Sequence, residues 1–288
     1  MQPQTFAIIQ ARITSSRLPG KVLLDIGGEP MLVRVVERAR RAKTINGVVL
    51  ATTTDPSDDT IAALCVERGY PCYRGNLYDV LDRYYQAARM FGAEVIVRLT
   101  GDCPVIDPGV IDELVDAFLA PLPLDLVPSS LSPAPFDFAT IRLPPPWHRT
   151  YPIGLDTEVC TFAALERAWV EADQPHQREH VMPYLYEGIH EPGARYSPSK
   201  GKLRDIYISP RGFYVLVMNH DPDYGSMRWT VDTPEDLELL RQIYSRFPGR
   251  DDFTWLEVLD LFQREPELVR INAEVHHKDF RASEKPTP

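Results

Sequence analysis

The chain has 288 residues, of which 44% are hydrophobic and 25% are charged, a balance typical of a soluble globular protein. Its net charge of −10 disfavours a protein that coats nucleic acid or an anionic membrane surface. No apolar run approaches the length of a membrane span, and no charged and then apolar leader precedes Phe6, so we expect a cytoplasmic protein.

Short apolar runs alternate with helical patterns in the first half of the chain. The runs that predict strands span residues 6–10, 47–53, 71–74 and 95–99. Apolar stripes predict helices near residues 31–42, 58–68, 80–91 and 107–118. Asp79 and Gly92 are of the residue types that begin and end helices. This alternation predicts a three-layer α/β fold, in which a mostly parallel sheet is covered by helices on both faces.

Prolines interrupt the alternation between residues 120 and 152, where we expect an irregular loop or lobe. Later patterns predict helices at 161–172, 175–187 and 234–247, and β-structure at 206–218 and 227–231. Thr233 and Pro234 suit the start of the last of these helices. We therefore predict one domain over residues 1–275, with an inserted lobe at about 120–225 for substrate binding or oligomerisation. Residues 276–288 form a polar tail that we expect to be disordered.

The four cysteines show no C-x-x-C pair and lie mostly among apolar neighbours. We expect Cys65, Cys72, Cys103 and Cys160 to be reduced, packed thiols rather than members of a disulfide or a zinc site. A catalytic thiol at Cys103 would need a nearby base, which the sequence does not single out.

The first predicted strand, which ends near Gln10, leads into a loop with three cations and three hydroxyl groups. The cations are Arg12, Arg17 and Lys21, and the hydroxyl groups belong to Thr14, Ser15 and Ser16. Arginine forks and a lysine ammonium group hold phosphate oxygens, and backbone N–H groups complete such sites. The loop is either an anion site or an ordinary exposed basic loop, and its spacing alone leaves both interpretations open.

Two aspartates stand at the ends of predicted strands. Asp102 follows the run at 95–99, and Asp232 follows the run at 227–231. Ligands of open α/β sheets gather at the carboxyl ends of strands, and Mg²⁺ takes one or two carboxylates together with substrate oxygens and water. The alternative is that Asp102 stabilises a turn and Asp232 supports the start of a helix.

Polar side chains in the second half are candidates for binding a second substrate. Asp156 and Glu158 share one face of a predicted strand because side chains alternate along a strand. Arg178 and His180 belong to a charged run on a predicted helix. Asp156 and Glu158 bind sugar hydroxyls or a metal, or they face solvent, and the charged run is either functional or a solvated helix face.

The run Q-A-R-x-x-S-S-R-L-P-G-K, followed directly by the segment from Leu23 to Leu32, resembles the opening of the bacterial sugar cytidylyltransferases. These enzymes make CMP-activated 3-deoxy-manno-octulosonate and acylneuraminates, and the resemblance is closest to the branch named for spore-coat polysaccharide biosynthesis. The likeness extends to about Val275. It implies a nucleotidyltransferase fold of the glycosyltransferase-A-like kind, and we expect a homodimer.

The resemblance also implies roles for particular residues. Arg12 and Lys21 are expected to be catalytic. In that family a G-D-x-P turn and a D-T-P-E-D-L segment hold the metal ligands, which implies that Asp102 and Asp232 bind Mg²⁺. Thr100 stands where the octulosonate enzymes have a glutamine that helps to recognise cytosine. The residues expected to bind the nucleotide are Gln10, Ala11, Arg12, Ser15, Ser16, Arg17, Lys21, Arg74, Thr100 and Asp102.

The implied reaction transfers CMP from CTP to a sugar or another small anionic acceptor, with release of pyrophosphate. Asp156, Glu158, Arg178 and His180 are the expected acceptor-binding residues. A nucleotide-sugar-dependent glycosyltransferase would be expected to have a D-x-D metal motif after a core strand, and the segment Gly101-Asp102-Cys103-Pro104 lacks one. In a sugar-1-phosphate nucleotidyltransferase we would expect the loop after the first strand to contain more glycines than it does in this chain. A non-catalytic nucleotide-binding homologue stays open until pyrophosphate release is measured.

Overall fold

The computed structural model describes residues 2–121, 136–144 and 149–276. The strands in chain order are β1 (Thr5–Gln10), β2 (Asp25–Ile26), β3 (Glu29–Pro30), β4 (Gly47–Thr53), β5 (Cys72–Gly75), β6 (Val95–Thr100), β7 (Phe138–Thr140), β8 (Glu158–Thr161), β9 (Ala194–Ser199), β10 (Lys202–Ile208) and β11 (Tyr214–His220). β2 and β3 form a small hairpin of their own, and the others form one sheet in the order β5-β4-β1-β6-β8-β7-β11-β10-β9.

The helices surround this sheet. They are α1 (Met31–Ala39), α2 (Asp59–Arg68), α3 (Val80–Phe91), α4 (Pro108–Leu119), α5 (Phe162–Glu171), α6 (Pro175–His180), α7 (Pro183–Tyr186), α8 (Pro234–Ser245) and α9 (Trp255–Arg264). The predicted caps of α3 are confirmed, because Asp79 accepts a hydrogen bond from the Asp82 amide and Gly92 ends the helix at φ +66°.

Alternate residues of β1 pack into different hydrophobic layers. Ala7 and Ile9 belong to the layer that includes α1, α4, α8 and α9, whereas Ile8 belongs to the layer that includes α3, α5 and α7. Both faces of the strand are thus buried, which explains why its sequence is continuously apolar. The predicted three-layer α/β architecture is confirmed.

The sheet has a parallel half and a mixed half. β1 lies parallel to both β4 and β6, and β4 lies parallel to β5. Beyond β6, strands β8 and β7 pair antiparallel, β11 joins β7 in parallel, and β10 and β9 pair antiparallel. The segment predicted as an inserted lobe therefore extends the same sheet.

The absence of regular structure predicted for residues 120–152 is wrong at Phe138–Thr140, which forms β7. This strand is held between β8 and β11, so long-range pairing overrides the proline-rich surroundings. The prolines at 144–146 fall only in part within the described residues, and residues 122–135 and 145–148 lie outside them. The predicted tail, apart from His276, also lies outside the described residues.

Two other predicted elements need correction. The helix at 175–187 is two helices, because Val181 has a φ of +72° and Pro183 lacks the N–H that a continuous helix needs. Residues 227–231 form no strand beyond an isolated bridge between Arg228 and Ile153. Trp229 and Val231 are fully buried, so the apolar pattern there reflects burial rather than sheet pairing.

The four cysteines lie within the described residues and are free thiols, as predicted. Cys65, Cys103 and Cys160 are buried, and Cys72 is half-buried. Among the helices of the described ranges, none has the length and apolarity required to cross a bilayer.

Candidate active site

A cavity of about 340 Å³ opens at the carboxyl ends of β1 and β6. These strands are neighbours in the sheet, and their last residues, Gln10 and Thr100, lie side by side in the register. The position is the one where open α/β sheets bind ligands. Of the described residues, those that line the cavity are Gln10, Ala11, Arg12, Thr14, Ser15, Ser16, Arg17, Lys21, Val22, Arg83, Arg98, Thr100, Gly101, Asp102, Cys103, Arg142, Arg149, Ile153, Asp156, Glu179, His180, Thr230 and Asp232.

The loop after β1 is held against the neighbouring strand by Asp58, a fully buried residue that sequence reasoning missed. Its carboxylate accepts a 2.7 Å hydrogen bond from the Ile13 amide and further bonds from the amide and hydroxyl of Thr53 in β4. The Gly20 amide closes the loop on the Ile13 carbonyl at 2.9 Å. This bracing fixes the loop at the rim of the cavity.

Lys21 joins the two predicted metal-binding aspartates. Its Nζ lies 2.9 Å from Asp102 Oδ2, 2.9 Å from Asp232 Oδ1 and 2.7 Å from the Val231 carbonyl oxygen. Burial opposes the charge of the ammonium group, but the two carboxylates outweigh this effect and raise the pKa of Lys21. The geometry thus brings Lys21, Asp102 and Asp232 together although they are far apart in sequence.

Asp232 contacts three cations. Besides Lys21, Arg17 Nη2 lies 2.7 Å and Arg228 Nη2 lies 2.8 Å from Asp232 Oδ2. Burial alone would raise the pKa of the carboxyl group, but the charges of Lys21, Arg228 and Arg17 hold that pKa well below its usual range. Asp232 is therefore a firmly ionised group.

The segment around Asp232 is anchored by the fully buried Asp236 in the first turn of α8. Asp236 accepts hydrogen bonds from the Asp232 amide at 2.9 Å and from Arg228 Nε and Nη2, both at 2.9 Å. Thr233 and Asp236 also form a capping box, in agreement with the predicted N-cap. A helix terminus, and not a strand, thus positions Asp232.

Asp102 is oriented by Thr100, whose hydroxyl group donates to Asp102 Oδ1 at 2.6 Å. Thr100 was expected to border the nucleobase because of its place before G-D. The structure puts it on the cavity wall and commits its hydroxyl group to the aspartate.

The two aspartates fit a magnesium ion. Their oxygen atoms converge on one cation, the Lys21 ammonium group, and two carboxylates are the usual protein contribution to a Mg²⁺ site. Within the described part of the chain, no group of three or more His, Cys, Asp or Glu residues could hold a metal ion. The other ligands of such an ion would have to be substrate oxygens and water.

Two predicted residues lie away from the cavity lining. Arg74 Nε donates to the Thr53 carbonyl at 2.7 Å, and its Nη2 bonds to Asp59 at 2.7 Å. Arg178 Nη1 donates to the Trp169 carbonyl at 2.7 Å, and its Nε donates to Asp79, the cap of α3. Both guanidinium groups are thus engaged in structural contacts and are not among the described residues of the lining, and their roles in nucleotide and acceptor binding stay predictions.

Glu158 is also engaged elsewhere. It pairs across the β6–β8 ladder with Arg98, and the two buried side chains form a salt bridge. Arg98, which does line the cavity, additionally donates from Nη2 to Gln10 Oε1 at 3.2 Å. Glu158 therefore neutralises Arg98 and is not among the described residues of the lining, and its role in acceptor binding stays a prediction.

Arg83 is a cavity residue that the sequence did not single out. It is 1% exposed, and its Nε and Nη1 atoms have no hydrogen-bond partner among the described residues. Burial lowers the pKa of Arg83 to about 10, and the nearby charge of Arg12 acts in the same direction. A helical pattern alone marks position 83 as core-facing, so only burial beside a cavity could have identified it.

The other end of the cavity is formed by the second half of the chain. Asp156 and His180 line it, as do Arg142 and Arg149. Asp156 forms a salt bridge with Arg149, and Arg142 Nε lies 3.5 Å from Asp156 Oδ1. Two arginines thus share one carboxylate, and neither was predicted.

Comparison with known proteins agrees with this geometry. The family model described as cytidylyltransferase matches residues 6–250. This chain belongs to the cytidylyltransferase family. The predicted resemblance is confirmed, and the enzyme is a nucleotidyltransferase.

The chain is similar to individual proteins along most of its length. The chain is 32% identical over 281 residues to the uncharacterized protein MJ1063 of Methanocaldococcus jannaschii, covering 96% of this chain and 98% of that one. It is 29% identical over 271 residues to the spore coat polysaccharide biosynthesis protein SpsF of Bacillus subtilis, with coverage of 91% and 95%. The solved structure of a cytidylyltransferase from Leptospira borgpetersenii matches with a TM-score of 0.77 at 29% identity, covering 96% of this chain and 100% of that one.

Proposed function

We propose that this cytidylyltransferase moves CMP from CTP to a sugar or another small anionic acceptor in a Mg²⁺-dependent reaction. An acceptor oxygen attacks the α-phosphorus, the bond between the α- and β-phosphates breaks, and pyrophosphate leaves. The observation that carries the proposal is the cluster of Lys21, Asp102 and Asp232 beside the basic loop, at the carboxyl ends of β1 and β6.

The nucleotide occupies the β1 side of the cavity in this proposal. Arg12, Arg17 and Lys21 neutralise the β- and γ-phosphates, while Gln10 to Ser16 provide the surrounding wall. Arg83 adds a buried positive charge whose Nε and Nη1 lack a hydrogen-bond partner in the described chain, as expected of a residue that receives an anionic ligand.

Asp102 and Asp232 would hold the magnesium ion, whose chemistry is to polarise the α-phosphate. Thr100 keeps Asp102 turned toward Lys21, and Asp236 fixes the backbone that carries Asp232. These contacts orient the two carboxylates before any substrate arrives, which reduces the reorganisation needed in the reaction.

The acceptor occupies the other end of the cavity, near Asp156 and His180. Arg142 and Arg149 share the carboxylate of Asp156, and these guanidinium groups are the donors that we propose for an anionic acceptor. The name of the Bacillus subtilis relative makes surface-polysaccharide biosynthesis the proposed setting. A cytoplasmic homodimer, with twice the 32.7 kDa mass of the chain, stays an expectation that light scattering would test.

The function is tested by measuring pyrophosphate release from each of four nucleoside triphosphates with a panel of sugar acids, sugar phosphates and small phosphonates. We expect release with CTP and at least one anionic acceptor, and slower release with the other triphosphates. Asp102→Asn is the background control, with kcat lowered about a hundredfold because an ionised oxygen ligand is lost. Equal or faster turnover of another triphosphate across the panel would contradict the proposal.

A further inference from the structure

The ammonium group of Lys21 fills the gap between the two aspartates. It has three N–H donors, which face Asp102 Oδ2, Asp232 Oδ1 and the Val231 carbonyl oxygen at 2.7–2.9 Å. The residue is 8% exposed. Its charge is therefore fully committed to the same two carboxylates that fit a metal ion.

A magnesium ion held by Asp102 and Asp232 would take their carboxylate oxygen atoms as ligands. The space between them is the space that the Lys21 nitrogen fills, at 2.9 Å from both. Two cations cannot share it, because their charges repel and each would displace the other from its ligands. Metal binding between the carboxylates thus requires the ammonium group to leave.

The two carboxylates keep other contacts when Lys21 leaves. Asp102 Oδ1 still accepts from the Thr100 hydroxyl group, and Asp232 Oδ2 still contacts Arg17 and Arg228. Lys21 itself is a point charge on a flexible four-carbon stem at the cavity wall, so a change of rotamer can carry it toward a bound phosphate.

We propose that Lys21 is a built-in counter-ion of the aspartate pair, that it competes with Mg²⁺ for them in the nucleotide-free enzyme, and that it is released when a metal–nucleotide complex enters. This inference rests on the proposed function for the identity of that complex. The competition itself concerns only the nucleotide-free protein. Its consequence is that the metal binds weakly alone and tightly together with the triphosphate, whose phosphates give the displaced ammonium group a new partner.

The test measures binding of Mn²⁺, as a spectroscopic substitute for Mg²⁺, to the nucleotide-free protein by electron paramagnetic resonance. Lys21→Met removes the competing charge and keeps an unbranched side chain that is one heavy atom shorter. We expect its Mn²⁺ affinity to exceed that of the parent about tenfold or more, the effect of removing one charge-assisted hydrogen bond from the competing state. Unchanged or weaker Mn²⁺ binding would overturn the proposal.

Arg17→Met is the matched control, because it removes a positive charge from Asp232 and leaves the Lys21 contacts in place. We expect its Mn²⁺ affinity to rise less than about threefold, since only general electrostatic repulsion is relieved. An equal gain in both variants would show that overall charge, and not occupation of the gap, governs metal affinity.

A second measurement uses the unaltered protein, in case Lys21→Met fails to fold. Proton–nitrogen spectra of the lysine ammonium groups should show one signal protected from solvent exchange in the nucleotide-free protein, and adding Mg²⁺ should remove it. A protected signal that persists at saturating Mg²⁺ would contradict the competition. Calorimetric titration of CTP tests the proposed function separately, because failure to bind CTP leaves the result for the nucleotide-free protein intact.

Discussion

At the scale of single residues, two buried arginines of the cavity differ in what neutralises them. Arg98 has the carboxylate of Glu158 and the amide oxygen of Gln10 as partners. Arg83 is more deeply buried than Arg98, yet its Nε and Nη1 find no hydrogen-bond acceptor within the described residues. A buried charge without such partners costs free energy of folding, and it persists where a ligand uses it.

Because the two arginines differ in their partners, we expect their substitutions to have opposite effects on the free energy of unfolding. Arg83→Met should leave the free energy of unfolding unchanged or raise it by about 1–3 kcal/mol, because an unsatisfied group is removed. Its affinity for CTP should fall about tenfold or more. Chemical denaturation and calorimetry measure the two quantities.

Arg98→Met is the matched control for that variant. It leaves Glu158 as an uncompensated buried charge, so we expect it to lower the free energy of unfolding by about 3–5 kcal/mol. If both variants lost stability to the same extent, Arg83 would be a structural residue and its assignment to the nucleotide would fail.

The ionisation of Asp232 predicts a pH dependence. Its pKa in the folded protein is depressed, so the carboxylate contributes stability that is present above the unfolded pKa of about 3.9 and is lost as pH falls toward the folded value. The parent should therefore exceed Asp232→Asn in free energy of unfolding by a constant amount between about pH 5 and 7, and the difference should shrink below about pH 4. Denaturant titrations at several pH values measure it. If the difference were independent of pH down to about pH 3, the charge of Asp232 would not be the source of its contribution to stability.

At the scale of elements, the start of α8 and the loop after β1 supply most of the groups at the aspartate pair. Asp236 links α8 to Arg228 and to the amide of Asp232, and Asp58 links the basic loop to β4. Both carboxylates are fully buried and hydrogen-bonded, so each holds a segment of the cavity lining by contacts that the solvent does not weaken. The helix cap is thus part of the site's construction.

Asp236→Ala should therefore damage the fold as well as the site. It removes two charge-assisted hydrogen bonds from the buried Arg228, which keeps its contact with Asp232, and it frees the Asp232 amide, so we expect a loss of about 3–5 kcal/mol in the free energy of unfolding. Glu235→Ala, an exposed acid in the same first turn, should change that free energy by less than about 0.5 kcal/mol. Thermal unfolding of the two variants side by side gives the comparison, and equal melting temperatures would contradict this role of Asp236.

At the scale of the whole molecule, the net charge of the cavity lining is opposite in sign to the net charge of the chain. The net charge is −10, yet seven lysine and arginine side chains and four carboxylates are found among the described residues of the lining. The parallel half of the sheet supplies the basic loop after β1, and the mixed half supplies Arg142, Arg149 and Asp156. The cavity between the halves concentrates anionic ligands, while the negative outer surface disfavours polyanions such as nucleic acid.

The sequence by itself determined the features that depend on neighbours along the chain. Continuous apolar runs marked the parallel strands, because buried strands need apolar side chains on both faces. Asp79 and Thr233 marked helix starts, since capping involves residues only three positions apart. The basic loop and the two aspartates were identified in the same way, from their places at the ends of apolar runs and from the family pattern.

Only the tertiary structure decided which of these groups meet. Lys21 reaches Asp232 across 211 positions in the chain, whereas Arg74 turns to Asp59 and Glu158 turns to Arg98. The apolar run before Asp232 proved to be a buried segment beside a helix cap, and Arg83 proved to be a buried charge at the cavity. The spacing of residues along the chain indicates which face of an element a side chain occupies. The partner of that side chain depends on how distant elements pack, which no local pattern contains.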